Sequence, residues 1–286
     1  MTLPQFSADP TDVLDGARRA EAAGLDSVWL FDHLWPLSGT KQRPIFESWT
    51  TLAYIAARTE RVLIGTLVTR SSLRHPALLA RMAATASLVA DGRLIVAIGS
   101  GDAKSRAENI AFGMPYFEPD ERADQLAGVV EIVRSHLRGH HVGYRDRYIA
   151  VDYLPNQPRM HSPVWVGGRT DEVLEVAGRL GDGWNAWAST PDEFARDAGI
   201  VTEAAGGRPI ELSWGGVVSI DRTDEAAEAK AKGPSRSGRI VGSPETVRAH
   251  FEALIDAGAR HLIATFPDAR VPGNYELFAA AVGASS

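Results

Sequence analysis

The stretch RHPALLARMAATASLVADGRLIVAIGSG, residues 74–101, is the most informative about the fold, because it contains one helix and the strand that follows it. Pro76 suits the first position of a helix over Ala77–Ala90. One side of that helix is apolar, with Leu78, Leu79, Met82 and Ala86. The next run, Leu94–Ile98 (LIVAI), is wholly apolar, as is typical of a strand covered on both faces in a parallel sheet. The stretch therefore predicts an α/β fold.

The same alternation of strand and helix runs along the whole chain. Eight strand candidates can be identified: Thr2–Phe6, Ser27–Phe31, Val62–Val68, Leu94–Ile98, Val164–Val166, Gly183–Trp187, Ile210–Ile220 and His261–Phe266. Helices are predicted between them, over Asp12–Ala23, Thr170–Leu180, Thr246–Ala257 and after the capping box that starts at Thr190. Eight such units close more naturally into a (β/α)8 TIM barrel than into an open sheet. No linker divides the chain, so we expect one domain, residues 1–286.

Two segments depart from this alternation and predict insertions, and a third has an unusual composition. Asp102–Glu118 is a long connection after the fourth strand, and His141–Val151 alternates like a small hairpin before the fifth. Asp221–Arg239 is charged and then rich in glycine and serine, which predicts a short helix and a mobile loop. Connections at the carboxyl ends of strands form the active sites of barrel enzymes, so we expect insertions at the C-terminal face.

The composition excludes several classes of function. The formal net charge is −6 with acids and bases interspersed, so no nucleic-acid partner is expected. The chain has no cysteine, which excludes thiolate catalysis, disulfides and cysteine-ligated metals. His140 and His141 are adjacent on a predicted strand and would point to opposite sides, so no metal site is predicted. No apolar run approaches the ~20 residues of a membrane span, so we expect no membrane partner and a cytoplasmic protein.

Two candidate catalytic residues follow predicted strands. Asp32-His33 ends the second strand with a charged pair. His33 could act as a general acid or base or hydrogen-bond a cofactor ring; alternatively, it only caps the strand. Asp102 follows the fourth strand and is, with Asp32, one of two carboxylates at a strand end. A barrel would bring these side chains to the same face.

Two glycine-rich turns leave strands, at Gly99-Ser100-Gly101 and at Gly167-Gly168. Glycine N–H groups can approach a phosphate closely, and the second turn precedes a helix whose N-terminus favours an anion. Arg169 could add positive charge. Ordinary tight turns would also explain these glycines, and Lys104 interrupts the Gly-x-Gly-x-x-Gly fingerprint. Together the turns favour a phosphate-bearing cofactor.

Tryptophans are numerous, and three of them lie near strand ends. Trp35, Trp184 and Trp187 could line a pocket for a planar ring or an apolar substrate, although simple packing would also explain them. Trp29 and Trp165 lie inside predicted strands, where we expect core packing.

Several segments carry a family resemblance: GLDSVWLFDH (residues 24–33), SWTTLAYIAARTERVLIGTLVT (48–69), the stretch 74–101, PVWVGG (163–168) and GDGWN (181–185). In this order they resemble the luciferase-like monooxygenase superfamily, and most closely its branch that depends on the deazaflavin coenzyme F420. The resemblance covers nearly the whole chain. It implies a TIM barrel and hydride transfer at the deazaflavin C5. Relatives are often dimers, so a homodimer is expected.

The resemblance also implies roles for single residues. Asp32 would contact the deazaflavin and His33 would lie near the reacting carbon, while Leu67-Val68 would form a non-prolyl cis peptide behind the ring. Asp102 matches an acidic proton donor that is a longer glutamate in a sugar-phosphate dehydrogenase of the branch. Val166-Gly167-Gly168 would hold the cofactor phosphate. The expected cofactor-binding set is Asp32, Leu67, Val68, Gly99, Gly101, Val166, Gly167 and Gly168.

The predicted function is therefore hydride transfer between coenzyme F420 and a small organic substrate. The substrate of the sugar-phosphate enzyme is not carried over, because Trp35 is displaced from that enzyme's tryptophan and no clear set of basic residues for a phosphosugar is visible. An alternative keeps the fold but uses FMN with NAD(P)H and O₂ as a monooxygenase. Two others are a non-catalytic flavin-binding relative and an unrelated hydrolase barrel.

Overall fold

The structure is a computed structural model that describes residues 1–7, 9–36, 41–42, 44–231, 238–268 and 273–283. Its strands are β1 Ser27–Leu30, β2 Leu63–Thr66, β3 Thr69–Arg70, β4 Leu94–Gly99, β5 Val142–Arg145, β6 Ala150–Leu154, β7 Val164–Gly167, β8 Gly183–Trp187, β9 Glu211–Ile220, β10 Arg239–Gly242 and β11 His261–Thr265. Its helices are α1 Pro10–Ala22, α2 Ser48–Ala56, α3 Pro76–Val89, α4 Ser105–Ala111, α5 Arg122–Leu137, α6 Asp171–Leu180, α7 Pro191–Ala205, α8 Asp224–Ala231, α9 Pro244–Asp256 and α10 Asn274–Val282. Strand and helix alternate, which confirms the α/β prediction.

One parallel sheet organises the molecule, with strand order β1-β2-β4-β7-β8-β9-β10. The long strand β9 has two partners on one edge. Its residues Ser213–Val217 pair with β11, and Val217–Ile220 pair with β10. Because all these pairs are parallel, the carboxyl ends of the strands lie at the same end of the sheet. Strands β5 and β6 form a separate antiparallel hairpin, as predicted for His141–Val151.

The first residues of the chain lie between β1 and β11. Thr2 forms a parallel bridge with Trp29, and its N–H donates to the carbonyl oxygen of Ala264 at 2.9 Å. The predicted strand Thr2–Phe6 is wrong beyond this bridge. Pro4 has no N–H to offer a neighbouring strand, and the chain turns there with the Ser7 N–H donating to the Pro4 carbonyl.

The other predicted strands match the structure within two residues at each end. Two helices lie in segments that the sequence left ambiguous. Asp102–Glu118 is more than a connection, because it contains α4. Asp221–Arg239 contains the predicted short helix as α8, and the predicted mobile loop falls on residues 232–237, outside the described residues.

Apolar side chains pack on both faces of the sheet. The larger cluster joins the outer face to the helices, with buried residues such as Leu79, Val133 and Leu174. A smaller cluster on the other face contains Trp29 and Trp165, whose rings stack 5.5 Å apart, and therefore confirms their core packing. None of the helices in the described ranges combines the length and apolar character needed to cross a membrane.

Candidate active site

A cavity of about 1150 Å³ opens at the carboxyl ends of the strands. This exceeds the roughly 300–1,000 Å³ of a usual small-molecule pocket. The structure brings together residues from distant parts of the chain, because the parallel strands all end at this face. Most of the predicted site residues line the cavity: Asp32, His33, Leu67, Val68, Gly99, Gly101, Asp102, Gly167, Gly168 and Trp187.

The Leu67–Val68 peptide bond is cis, as the family resemblance implies. Val68 packs between two of the predicted phosphate-binding glycines. A Cβ atom on Gly99 would lie 2.5 Å from Val68 Cγ2, and one on Gly167 would lie 2.8 Å from Val68 Cγ1. These distances are too short for any side chain, so both positions need glycine to accommodate Val68. Close packing explains these two glycines without a phosphate.

His33 is held by a carboxylate from a distant part of the chain. Its Nδ1 lies 3.0 Å from Glu108 Oε2, and its side chain is 23% exposed. Glu108 is 1% exposed and also accepts hydrogen bonds from the N–H groups of Leu34 and Trp35. The second ring nitrogen, Nε2, forms no hydrogen bond with any described residue, and His33 lines the cavity. The geometry therefore leaves Nε2 as the ring nitrogen without a partner among the described residues.

Arg70 completes this cluster from β3. Its Nη2 donates to Glu108 Oε2 at 2.7 Å and to the Asp32 carbonyl at 3.0 Å. Burial alone would raise the pKa of Glu108, but hydrogen bonds from His33 and Leu34 and the charge of Arg70 outweigh it and lower the pKa to about 2. An ionised carboxylate only accepts hydrogen bonds, so His33 Nδ1 carries the hydrogen in this pair.

Asp32 belongs to a second cluster, in which its carboxylate is fully used. Oδ1 accepts from Ser48 Oγ and Arg74 Nη2, at 2.7 and 3.0 Å. Oδ2 accepts from the Arg70 N–H and Arg74 Nη1, at 3.0 and 2.7 Å. Four bonds fill the lone-pair sites of a carboxylate. The carboxylate therefore anchors Arg74 and β3. Asp32 also lines the cavity, so its contact with a cofactor stays a prediction.

Asp102 is exposed at the cavity rim, where its side chain accepts hydrogen bonds from Ser105, the first residue of helix α4. Its Oδ1 accepts from the N–H and the Oγ of Ser105, at 3.0 and 2.9 Å. Gly101 has a positive φ of 75°, a backbone conformation that favours glycine. Lys104 is exposed and also lines the cavity, without an ion pair to another described residue.

The second glycine turn is more constrained than the sequence suggests. The Gly168 N–H donates to the Asn185 carbonyl at 3.3 Å. Arg169 points to helix α7, where its Nε donates to buried Asp197 at 2.7 Å and its Nη2 lies 3.4 Å from Glu193. Arg169 is therefore already paired with two acids. It does not supply the cation that was expected beside a bound phosphate.

The three candidate substrate tryptophans have different environments. Trp184 is fully buried on the helix side of the sheet, where it packs against Phe194 and donates to the Gly168 carbonyl at 2.8 Å. Trp35 packs against Phe112 and Lys41 outside the cavity lining. Trp187 lines the cavity, is 38% exposed and contacts Phe31 edge-on. The substrate prediction is thus wrong for Trp184, is not supported for Trp35 and stays open for Trp187.

Val166 does not line the cavity either, because it is buried in the cluster beneath the helices. The main residues that sequence reasoning missed are Glu108, Arg70 and Arg74. Both arginines come soon after the third predicted strand, which is a signal that could have identified them. Glu108 gave no such signal, since it lies in a helix within a segment interpreted as a connection. Across the described ranges, no group of three or more His, Asp or Glu side chains is placed to hold a metal ion.

Comparisons with known proteins agree with this architecture. The chain is 33% identical over 221 residues to an F420-dependent glucose-6-phosphate dehydrogenase of Amycolatopsis mediterranei, covering 76% of this chain and 64% of that enzyme. It is 30% identical over 221 residues to an F420-dependent hydroxymycolic acid dehydrogenase of Mycobacterium tuberculosis, covering 75% of this chain and 60% of that enzyme. These matches thus span less than two thirds of the relatives' length.

Solved structures show the same fold at lower identity. An F420-dependent secondary alcohol dehydrogenase superposes with a TM-score of 0.84 at 22% identity, over 99% of this chain and 96% of that chain. The F420-dependent tetrahydromethanopterin reductase of Methanopyrus kandleri superposes with a TM-score of 0.79 at 22% identity, over 98% and 96% of the two chains. The family model described as luciferase-like monooxygenase matches residues 2–240. The chain therefore belongs to the luciferase-like monooxygenase family.

Proposed function

We propose that this protein is an oxidoreductase that transfers a hydride between coenzyme F420 and a small organic substrate. The observation that carries the proposal is the similarity to two enzymes that are both named F420-dependent dehydrogenases, at 33% and 30% identity. The open cavity and the His33–Glu108 pair supply a place for this chemistry.

The volume of the cavity is consistent with a ring cofactor and a substrate bound together. Its volume of about 1150 Å³ is larger than a single small ligand requires. Leu67 and Val68 form part of its wall, where they would support one face of a flat ring. When bound, F420 would accept or donate the hydride, while the protein positions the reactants and handles protons.

His33 is proposed to move the substrate proton through Nε2. As the substrate carbon loses a hydride, Nε2 takes the proton from the hydroxyl group, and a carbonyl group forms; the reverse reaction returns it. Glu108 fixes the tautomer by accepting from Nδ1 and stabilises the protonated ring by its charge, so it is a positioning residue. Asp102 remains proposed as a second proton-handling group, through its Oδ2.

The remaining contacts are assigned by exposure and charge. Trp187 and Phe31 would provide an aromatic wall for the substrate or the ring. Gly101 and Gly168 remain proposed contacts to the cofactor phosphate. We assign Lys104 as the nearby cation in place of Arg169, because Lys104 lines the cavity and Arg169 is paired with acids.

We also propose that residues 1–286 form one domain with a closed (β/α)8 barrel. The bonds of Thr2 to both β1 and β11 support closure, since they join β1, at one end of the strand order, to β11, which pairs with β9 near the other end. A homodimer is proposed from family resemblance, and sedimentation of the purified protein would test it.

A cofactor titration tests the proposed function. Purified protein would be titrated with F420 and, separately, with FMN, while quenching of tryptophan fluorescence is followed. Reduced and oxidised F420 would then be assayed with a panel of alcohols and ketones. We expect saturable F420 binding and substrate-dependent change of its absorbance. Tight binding without turnover on any donor would favour a non-catalytic relative, and no binding of either cofactor would refute the proposal.

The description of the matching family favours one second candidate, an FMN-dependent monooxygenase using NAD(P)H and O₂. This enzyme would bind FMN in the titration above. It would consume O₂ with a suitable organic substrate, which an F420-dependent dehydrogenase would not do.

A further inference from the structure

A second pocket lies at the opposite end of the sheet from the candidate active site. It has a volume of about 220 Å³. Its lining includes Val164, which begins β7, and Asp182, which precedes β8, together with the C-terminal end of α5. In a parallel sheet the amino and carboxyl ends of the strands lie at opposite faces. This pocket is therefore separate from the cavity that contains His33.

Positive charge is in excess in this pocket. Arg134, Arg138 and Arg159 line it, and Asp182 is its only acidic lining residue among those described. Asp182 Oδ1 accepts from Arg134 and Arg138, at 2.9 and 3.3 Å, while its Oδ2 accepts from the Val164 N–H at 3.0 Å. One carboxylate thus shares the pocket with three guanidinium groups and pairs with two of them. Within the described residues, Arg159 forms no ion pair.

The positive charges of the arginines that line this pocket repel one another. Arg134 and Arg138 are four residues apart on α5, so they project from the same face of the helix. Burial lowers the pKa of Arg138, and the charges of Arg134, Arg159 and Arg208 lower it further, against the opposing effect of Asp182. Arg134 Nε is buried without a hydrogen-bond partner among the described residues. An anion in the pocket would relieve the repulsion between the guanidinium groups.

Backbone contacts hold the arginine-bearing segments together before any ligand binds. The Met160 N–H donates to the Leu137 carbonyl at 2.7 Å, which ties the segment of Arg159 to the end of α5. Gly139 lies against that segment with a positive φ of 87°, and a Cβ there would be 3.4 Å from the Arg159 nitrogen. The pocket is therefore formed by fixed elements, which reduces the entropy cost of binding.

We propose that this pocket binds a small phosphate dianion, either free phosphate or the phosphate group of a monoester. Guanidinium groups match the oxygen geometry of phosphate and bind it with charge-assisted hydrogen bonds. The ligand would connect α5 to the start of β7 and β8. Because it binds only the folded chain, it would stabilise the fold without entering the reaction.

Phosphate binding can be measured on the purified full chain by calorimetry and thermal unfolding. Inorganic phosphate and glycerol phosphate would each be titrated at constant ionic strength, with sodium chloride as the balancing salt. We expect a saturable rise in Tm. In the double variant Arg138→Ser, Arg159→Ser, the dissociation constant should rise at least tenfold. The double variant Arg145→Ser, Arg147→Ser is the matched control, because these arginines are exposed on the β5–β6 hairpin, and should bind as the original chain does.

Two further variants keep the proposal testable. Arg159→Ser alone removes no ion pair to a described residue, so it should fold normally and still weaken binding several-fold. Lys104→Ser, in the candidate active site, should keep the part of the phosphate response that depends on Arg138 and Arg159, because Lys104 lines the other cavity. The proposal is overturned if Lys104→Ser abolishes the response while the arginine variants keep it, or if the Tm follows ionic strength alone. Stronger binding of glycerol phosphate than of phosphate would identify a monoester as the ligand.

Discussion

Asp32 and His33 are neighbours in sequence, yet they belong to two ion-pair clusters of different character. The cluster of Asp32 is closed, in the sense that all four lone-pair sites of its carboxylate accept hydrogen bonds, from Ser48, Arg70 and Arg74. The cluster of His33 is open, in the sense that Glu108 binds Nδ1 while Nε2 has no partner among the described residues. The comparison indicates that one residue of the pair stabilises the site and the other is available for chemistry.

The largest expected effect is on turnover at the open cluster. His33→Ala should lower kcat about 10²- to 10⁴-fold, the usual contribution of a positioned acid–base group, with little change in F420 affinity. Steady-state kinetics and the fluorescence titration measure both quantities. His75→Ala is the control, since His75 is an exposed histidine that makes no capping bond to α3. Unchanged turnover in His33→Ala would refute the role of Nε2.

The next effect is on stability at the closed cluster. Arg74→Met removes both bonds to Asp32 and the ion pair to Glu47 but keeps most of the aliphatic volume. It should lower the free energy of unfolding by about 3 kcal/mol, because a buried carboxylate loses its charge partner. Urea unfolding measures this change. Arg18→Ala, on the exposed face of α1, should stay within about 0.5 kcal/mol of the original chain. Equal stability of the two variants would mean that Asp32 needs no partner.

Glu108 connects the two effects, because it orients His33 and compensates Arg70. Glu108→Gln keeps the shape but removes the charge, so we expect kcat to fall about 10- to 100-fold, the range typical of carboxylates that orient metal-bound histidines. The KM should change less, and the pH profile of kcat should shift. Glu108→Asp, which keeps the charge, should recover part of the rate. A kcat loss with an unchanged pH profile would indicate a merely structural role.

The smallest effect is an acid-dependent loss of stability. The pKa of Glu108 is lowered from 4.5 to about 2 in the folded chain. A lowered pKa stabilises the fold above the unfolded value of 4.5, and this contribution is lost as the pH falls towards 2. Between about pH 5 and pH 3 the loss should be about 2 kcal/mol. Urea unfolding at several pH values should show a weaker dependence in Glu108→Gln, and equal slopes would contradict the shift.

Much of the fold could be predicted because it depends on local patterns. Continuous apolar runs such as Leu94–Ile98 identify buried parallel strands, and capping residues such as Thr190 identify helix starts. The cis peptide at Leu67–Val68 was predicted by family resemblance alone. The burial of Trp184 also follows from a local rule. It lies three residues from Trp187, an odd spacing that places the two side chains on opposite faces of a strand.

The sequence was sufficient for most of the alternating strands and helices and for the loops that carry polar residues to one face, because periodicity and turn chemistry act over a few residues. It did not identify β10, α5 or α10. Only the folded chain showed that Glu108 meets His33 across 75 positions. Likewise, the saturation of Asp32, the pairing of Arg169 and the packing of Val68 against two glycines depend on distant segments. Such contacts are selected by the packing of the whole molecule, which no local pattern encodes.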